Sequence, residues 1–318
     1  MPTPGKDLNE NDMLVKVAAS SLCHTDGMVL EGIMGAKLPC IASHEGAGTV
    51  VKVGSAVGFF KVGDRVLCSL TYHRCGICAD CIGPEKDRQY CRHTAALGVT
   101  MDGSFAEYEI VDGRECSLLP DNVSFQSAAP LACAGITVWG GLVRADLKTG
   151  ESVAIVGGGG GLGHLGIQFA KALGLHVIAI DARDEGLALA KECDADTVID
   201  ARKGKEKVVE EVHQVTSGKG ADATINVSDH NSAAATSAAV TKMHGISLRL
   251  AQVSIQANGL QEYLFKLLSH QMCQSHLLSW CSAILGSMAL LLVGISRPKY
   301  PICQLTNDRF ARRMPEDA

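Results

Sequence analysis

The chain has 318 residues, enough for about two ordinary domains, and its 47% hydrophobic and 20% charged residues are the proportions of a soluble globular protein. A formal net charge of −5 leaves no basic surface for a phosphate backbone, which argues against nucleic acid as a partner. The opening stretch MPTPGKDLNEND lacks the basic start and apolar run of a secretory signal, so the expected location is cytoplasmic and the 13 cysteines are expected to be reduced.

Between residues 13 and 120 the pattern is one of short β segments and glycine turns. Apolar runs over 13–19 and 48–53 read as strands, the second closed by Gly54. The stretch 61–67 carries the turn Gly63-Asp64 into Arg65-Val66-Leu67. Such spacing predicts a compact, irregular β domain. From about residue 128 the period changes. Ser152–Val156 is a fully apolar strand, followed by a glycine run and a helical stretch over 162–173. Strands over 175–180, 197–199, 223–227 and 246–251 then alternate with helices over 185–192, 206–215 and 233–242. Alternation with short links predicts an α/β fold with a doubly wound parallel sheet. The expected division is 1–127, 128–268 and 269–318.

In the last of these segments the pattern dissolves. The run 277–296 carries no formal charge and is followed by Arg297, Pro298 and Lys299. Its length suits a membrane span with a cytoplasmic C-terminus, but a buried helix or a divergent, mistranslated stretch has the same composition. Divergent sequence is the favoured reading of the three, and a membrane protein is not expected.

Three constellations carry chemistry. The first is Cys75-x-x-Cys78-x-x-Cys81 followed by Cys91. Closely spaced Cys-x-x-Cys turns aim paired sulfurs at one point, the arrangement of a closed four-thiolate zinc site. The second is dispersed: Cys23 in Cys23-His24-Thr25-Asp26, His44 in His44-Glu45-Gly46, and Cys133 in Ala132-Cys133-Ala134. Two thiolates and an imidazole leave a coordination position free, as a catalytic zinc requires, although spacing alone does not join them. The third is Gly158-x-Gly160-x-x-Gly163, with Gly161 and Leu162 inside it, directly after a strand and opening a helix. Asp181 ends the next strand. Glycines let a backbone approach a pyrophosphate, and the acid suits the ribose hydroxyls of a dinucleotide. The remaining cysteines, Cys40, Cys68, Cys116, Cys193, Cys273, Cys281 and Cys303, follow no ligand spacing and are expected to be small buried apolar side chains.

Together these motifs resemble the zinc-dependent medium-chain alcohol dehydrogenases, in particular their fungal and bacterial branch, over about residues 13–257. Further matches are Gly63-Asp64-Arg65-Val66, Asp102-Gly103-Ser104-Phe105-Ala106-Glu107-Tyr108 and Cys133-Ala134-Gly135-Ile136-Thr137-Val138. The resemblance implies a GroES-like β catalytic domain followed by a Rossmann domain. It implies two zinc ions per chain, one on Cys23, His44 and Cys133 and one on Cys75, Cys78, Cys81 and Cys91. Thr25 would take the alcohol proton, Asp26 would orient His44, and Glu45 would sit behind the metal. His24 would meet the cofactor pyrophosphate and Thr137 would line the nicotinamide pocket. The cofactor would be NAD, because the Asp181 carboxylate repels a 2′-phosphate. The activity implied is oxidation of small primary or secondary alcohols to aldehydes or ketones. A homodimer or homotetramer is compatible with this reading if the sheet edge is intact.

Four departures from that pattern stand out. Met28 occupies the position of a relay histidine found in many relatives, so the proton path ends in water or another group. The interval from Cys81 to Cys91 is longer than the common form. The chain starts late, by roughly two strands. The family's last strands are not recognisable after about residue 268. These points support an alternative, a weak or inactive zinc- and nucleotide-binding remnant. A polyol dehydrogenase is the rival within the fold, disfavoured by the apolar Met34 and Leu70. A nucleic-acid-binding zinc ribbon fits the four clustered cysteines alone.

Overall fold

A computed structural model of the chain describes residue 5, residues 7–36 and residues 38–251. The run 277–296 and the cysteines from Cys273 onward lie outside the described residues. The chain divides into two units at Ile136/Thr137, so Cys133 belongs to the first unit, whereas a boundary at 127/128 would assign it to the second. Among the described residues no single helix is long and apolar enough to cross a membrane.

The first unit is built on an antiparallel sheet. Its strands are β1 (Asp12–Ser20), β2 (Gly46–Val53), β3 (Arg65–Leu67), β6 (Tyr108–Asp112) and β7 (Ser117–Leu118), in the order β6-β1-β2-β3-β7. The short pair β4 (Thr71–Tyr72) and β5 (Ala95–Ala96) forms a second, two-stranded sheet. Met13 and Val15, two apart on β1, project to one face and pack with Val50, Val66, Val111 and Leu97. β1 changes register with β2 at two irregularities, which bend it around this core. The short helices of the unit are α1 (His24–Leu30), α2 (Ala79–Ile82) and α3 (Phe125–Ala128). Cys68 and Cys116 are buried in the core, as their composition suggested, while Cys40 and Cys193 are only half-buried.

The segment that enters the four-cysteine lobe is pinned by buried charge. The Tyr72 hydroxyl donates to Asp12 Oδ2 at 3.1 Å, and the His73 ring lies 2.6 Å from Asp12 Oδ1. The Arg74 guanidinium donates to both Glu115 oxygens, at 2.6 and 2.5 Å. Burial pushes the Glu115 carboxyl up and Arg74 pulls it back, so the pair repays only part of its own desolvation.

The second unit is a five-stranded parallel sheet in the order β10-β9-β8-β11-β12. Its strands are β8 (Ser152–Val156), β9 (His176–Asp181), β10 (Thr197–Asp200), β11 (Ala221–Asn226) and β12 (Thr241–Arg249). Helix α4 (Ala134–Ala145) spans the division between the units. α5 (Gly161–Ala172), α6 (Asp184–Glu192), α7 (Lys205–Val215) and α8 (Ala233–Val240) connect the strands. β8 is buried at every position, which is why it reads as an unbroken apolar run. The helix expected over 233–242 ends at Val240 and β12 starts at once, well before residue 246. The Thr241 hydroxyl lies 2.7 Å from Ser237 O and 2.8 Å from Thr224 Oγ1, and Lys242 pairs with Asp222, contacts that tie the start of β12 to α8 and β11.

One acidic group in the first core makes no ion pair among the described residues and is countered only weakly by His44. Glu109, on β6, is 1% exposed. It accepts from the Ser104 hydroxyl at 2.9 Å and from the Cys68 thiol, and burial pushes its pKa up to about 7. The folded state therefore holds a proton that the unfolded chain releases near pH 4.5. Its stabilising share is complete below that pH and is lost as pH rises toward 7, a change of roughly 3 kcal/mol. Glu109→Gln is expected to remove this decline, so thermal unfolding between pH 5 and 7.5 should be flatter in the variant than in the parent. An identical pH dependence in both would show that Glu109 is not the group responsible.

Candidate metal and nucleotide sites

The dispersed set converges within the first unit. Cys23 precedes the first turn of α1, His44 lies in irregular backbone before β2, and Cys133 follows a 3-10 turn (Ala129–Ala132). One donor atom from each of Cys23, His44, Glu45 and Cys133 lies within 4.8 Å of every other. Cys23 Sγ and Cys133 Sγ are 3.9 Å apart. The Cys23 thiol is drawn down to about 3, first by the Cys133 thiol and then by His44, against the opposing effect of burial. Cys133 is pushed up by the same contact and by burial. Two sulfurs, an imidazole and a carboxylate, largely out of water and competing for protons, make a donor set that suits a zinc ion.

Asp26 fixes the backbone around these ligands. Its Oδ2 accepts from the Cys23 N–H and its Oδ1 from the Ser43 N–H, each at 2.8 Å. Asp26 makes no hydrogen bond to the His44 ring. His44 Nδ1 stands 4.0 Å from Oδ1 and has no hydrogen-bond partner, so the interaction is electrostatic. A Glu45 carboxylate oxygen lies with these donors. Ser21 Oγ donates to its Oε2 at 2.5 Å and the Ala134 N–H to its Oε1 at 3.2 Å, and burial pushes its pKa up to about 7. Adjacent residues on a strand face opposite ways, but Ser43 has φ 71°, and the irregular backbone beyond it lets His44 and Glu45 converge. The Thr25 hydroxyl lies 3.6 Å from Cys23 Sγ. His24 is exposed, and Met28, Met34 and Leu70 are half-buried.

Cys75, Cys78, Cys81 and Cys91 likewise bring their sulfurs within 4.8 Å of one another. Backbone N–H groups of Ile77 and Cys78 point at Cys75 and draw its thiol down to about 6. Gly76, with φ 75°, supplies the left-handed step that turns them inward. The long interval before Cys91 is taken up by α2 and a 3-10 helix (Glu85–Tyr90).

In the second unit the glycine run links β8 to α5, with Gly158 in the turn and Gly160 just before the helix. Gly161, Leu162 and Gly163 form its first turn. A Cβ on Gly163 would stand 2.1 Å from Gly157 O, and one on Gly159 would stand 2.0 Å from Gly186 O, so both positions demand close approach. Gly159 carries this constraint although the fingerprint leaves its position open. A side chain at Gly161 would meet nothing, so that glycine keeps space open at the helix start. Asp181 ends β9 beside this turn and accepts from the Gly159 N–H at 2.9 Å. Thr137 is half-buried in α4.

This pairing of a β unit carrying two thiol-rich donor sets with a glycine-turn α/β unit defines the class. Residues 9–121 match the alcohol dehydrogenase GroES-like domain, and residues 161–280 match the zinc-binding dehydrogenase family, past the point where motifs alone could be followed. The chain belongs to the zinc-dependent medium-chain alcohol dehydrogenase family. It is 39% identical over 227 residues to an alcohol dehydrogenase of Schizosaccharomyces pombe, covering 71% of this chain and 63% of that protein. It is 41% identical over 197 residues to an alcohol dehydrogenase of Geobacillus stearothermophilus, covering 61% and 58%. It thus spans less than two thirds of these relatives. Among solved structures it is similar to the alcohol dehydrogenase of the archaeon Aeropyrum pernix, with TM-score 0.73, 26% identity and 90% and 83% of the two chains covered. Galactitol-1-phosphate dehydrogenase from Escherichia coli shares the fold at TM-score 0.78 and 22% identity, covering 93% and 86%.

The two thiol sets should respond differently to substitution. Cys78→Ser is expected to lower both metal content and unfolding midpoint, because a metal that organises a lobe contributes folding free energy directly. Cys133→Ala is expected to lower metal content with a smaller shift in midpoint, since its site is set into a packed β unit. Metal analysis and thermal unfolding of the full chain check both, and unchanged metal content in either variant would refute that site.

Proposed function

We propose that the chain is a zinc-dependent alcohol dehydrogenase that oxidises small primary or secondary alcohols to aldehydes or ketones, with NAD as the hydride acceptor. The observation that carries this reading is the convergence of Cys23, His44 and Cys133 with the Thr25 hydroxyl against the Cys23 sulfur. A zinc ion on those three ligands supplies the Lewis acidity that makes an alcohol hydroxyl acidic near neutral pH. A second zinc on Cys75, Cys78, Cys81 and Cys91 has a structural role.

The protein's own groups do the rest. Thr25 accepts the alcohol proton and hands it onward. Met28 cannot carry a proton, so the path beyond Thr25 ends in water or another group. Asp26 holds the backbone on either side of Cys23 and His44. Glu45, tethered by Ser21 and Ala134, would stand beside the three ligands and could lend a carboxylate oxygen to the metal they would hold. His24 and Thr137 are the residues for the cofactor pyrophosphate and nicotinamide. Gly158, Gly160, Gly161, Leu162 and Gly163 receive the phosphates at the start of α5. Asp181 takes the adenosine ribose hydroxyls and disfavours a 2′-phosphate.

The direct test is to purify the full chain, measure zinc, and follow NADH formation with ethanol or butanol. Zinc and bound NADH without turnover would favour the non-catalytic reading instead. Asp181→Asn keeps an acceptor but loses the charge, so the preference for NAD over NADP in kcat/KM should shrink at least about tenfold, a loss of roughly 1.5 kcal/mol. An unaltered ratio would remove Asp181 from the ribose.

A further inference from the structure

One buried imidazole in the second unit faces the glycine turn. His164, in the first turns of α5, is 8% exposed. Gly160, the residue before the helix, has no side chain to cap it. Its carbonyl oxygen accepts from the His164 backbone N–H at 3.0 Å, the ordinary first bond of a helix. The same oxygen stands 2.9 Å from Nδ1 of the His164 ring. A carbonyl can only accept, so Nδ1 carries the hydrogen and the ring is held in one tautomer. Burial lowers the pKa of the imidazole against the opposing pull of the Gly160 and Gly161 backbone, so no positive charge is added here near pH 7. Two donors from one residue thus converge on the Gly160 oxygen.

The peptide between Gly160 and Gly161 needs such a restraint. Gly159 and Gly163 are fixed by close approach to backbone, whereas a Cβ on Gly161 would meet nothing within 4 Å and one on Gly160 nothing closer than 3.2 Å. Sterics therefore leave this peptide free to turn over, and glycine takes either sign of φ readily. The backbone bond at the end of a helix frays, and the ring adds a second hydrogen bond to the same atom. A trans peptide aims its C=O and the N–H that follows in opposite directions. Holding the Gly160 carbonyl toward the helix therefore holds the Gly161 N–H out of the helix end, where an anion approaches.

We propose that His164 is a positioning residue of the nucleotide site, whose ring locks the Gly160–Gly161 peptide so that the Gly161 N–H is presented to a dinucleotide pyrophosphate. The inference rests on the reading of the glycine turn as a dinucleotide site. It is tested on the full chain with two variants that separate the ring's volume from its donor. His164→Phe keeps a ring of similar size and loses the donor. His164→Ser loses the ring, but a serine in a helix donates its hydroxyl to the carbonyl four residues back, which restores the second bond at Gly160. NADH is titrated by nicotinamide fluorescence and ADP-ribose by displacement of NADH, with thermal unfolding measured beside them. His164→Phe should weaken NADH and ADP-ribose alike, about fivefold or more, with little change in unfolding midpoint. His164→Ser should bind both within about twofold of the parent although the cavity it leaves lowers its midpoint. Unchanged binding in His164→Phe would overturn the proposal, as would weakening in His164→Ser equal to that in His164→Phe. Weakening confined to NADH would place the effect at the nicotinamide and overturn it too. A parent that binds neither nucleotide would overturn the dinucleotide reading itself, and this inference with it.

Discussion

Thiol, imidazole and carboxylate groups gathered out of water need a counter-charge, and the first unit is organised around two such gatherings. The lobe spanning 75–91 shows the constraint most clearly. Its large apolar side chains Ile77 and Ile82 point outward, at 83% and 73% exposed, while its four sulfurs turn in on one another. A segment of that size with its aliphatic residues in solvent has no hydrophobic core of its own. What can close it is the attraction of four sulfurs to one cation. The anchors at Tyr72, His73 and Arg74, bonded to the buried Asp12 and Glu115, then fix where the closed lobe meets the β sheet.

The second gathering differs because the surrounding sheet is already packed. Cys23, His44 and Cys133 come from three separate irregular segments, each held by backbone hydrogen bonds to a buried acid. Asp26 binds the N–H of Cys23 and of Ser43, and Glu45 binds the N–H of Ala134. Carboxylates next to the site thus hold the backbone at each of these segments.

In the nucleotide unit the corresponding constraint is steric. The chain passes within van der Waals range of itself at Gly159 and Gly163, so the turn after β8 exists only because those positions lack a Cβ. Asp181 secures the same turn through the Gly159 N–H. The acid at the end of β9 and the glycine turn after β8 are therefore mechanically one.

Much of this was legible in the sequence. The alternation of buried runs with amphipathic stretches after residue 150 specified the order of strands and helices, because a parallel sheet covered on both faces demands it. The Cys75–Cys91 spacing specified a closed thiolate cluster, because four sulfurs so close in sequence can hardly avoid one another. Tertiary structure alone decided what depends on residues far apart or on backbone irregularity. It brought Cys133 to Cys23, turned Glu45 to the same side as its neighbour His44, and gave the Asp26 oxygens to backbone N–H groups in place of the His44 ring. It also laid Arg183 across Asp181, and started β12 at Thr241, directly after α8. Local pattern encodes periodicity and covalent reach, whereas the partner of a buried polar atom is settled only when the whole chain has folded around it.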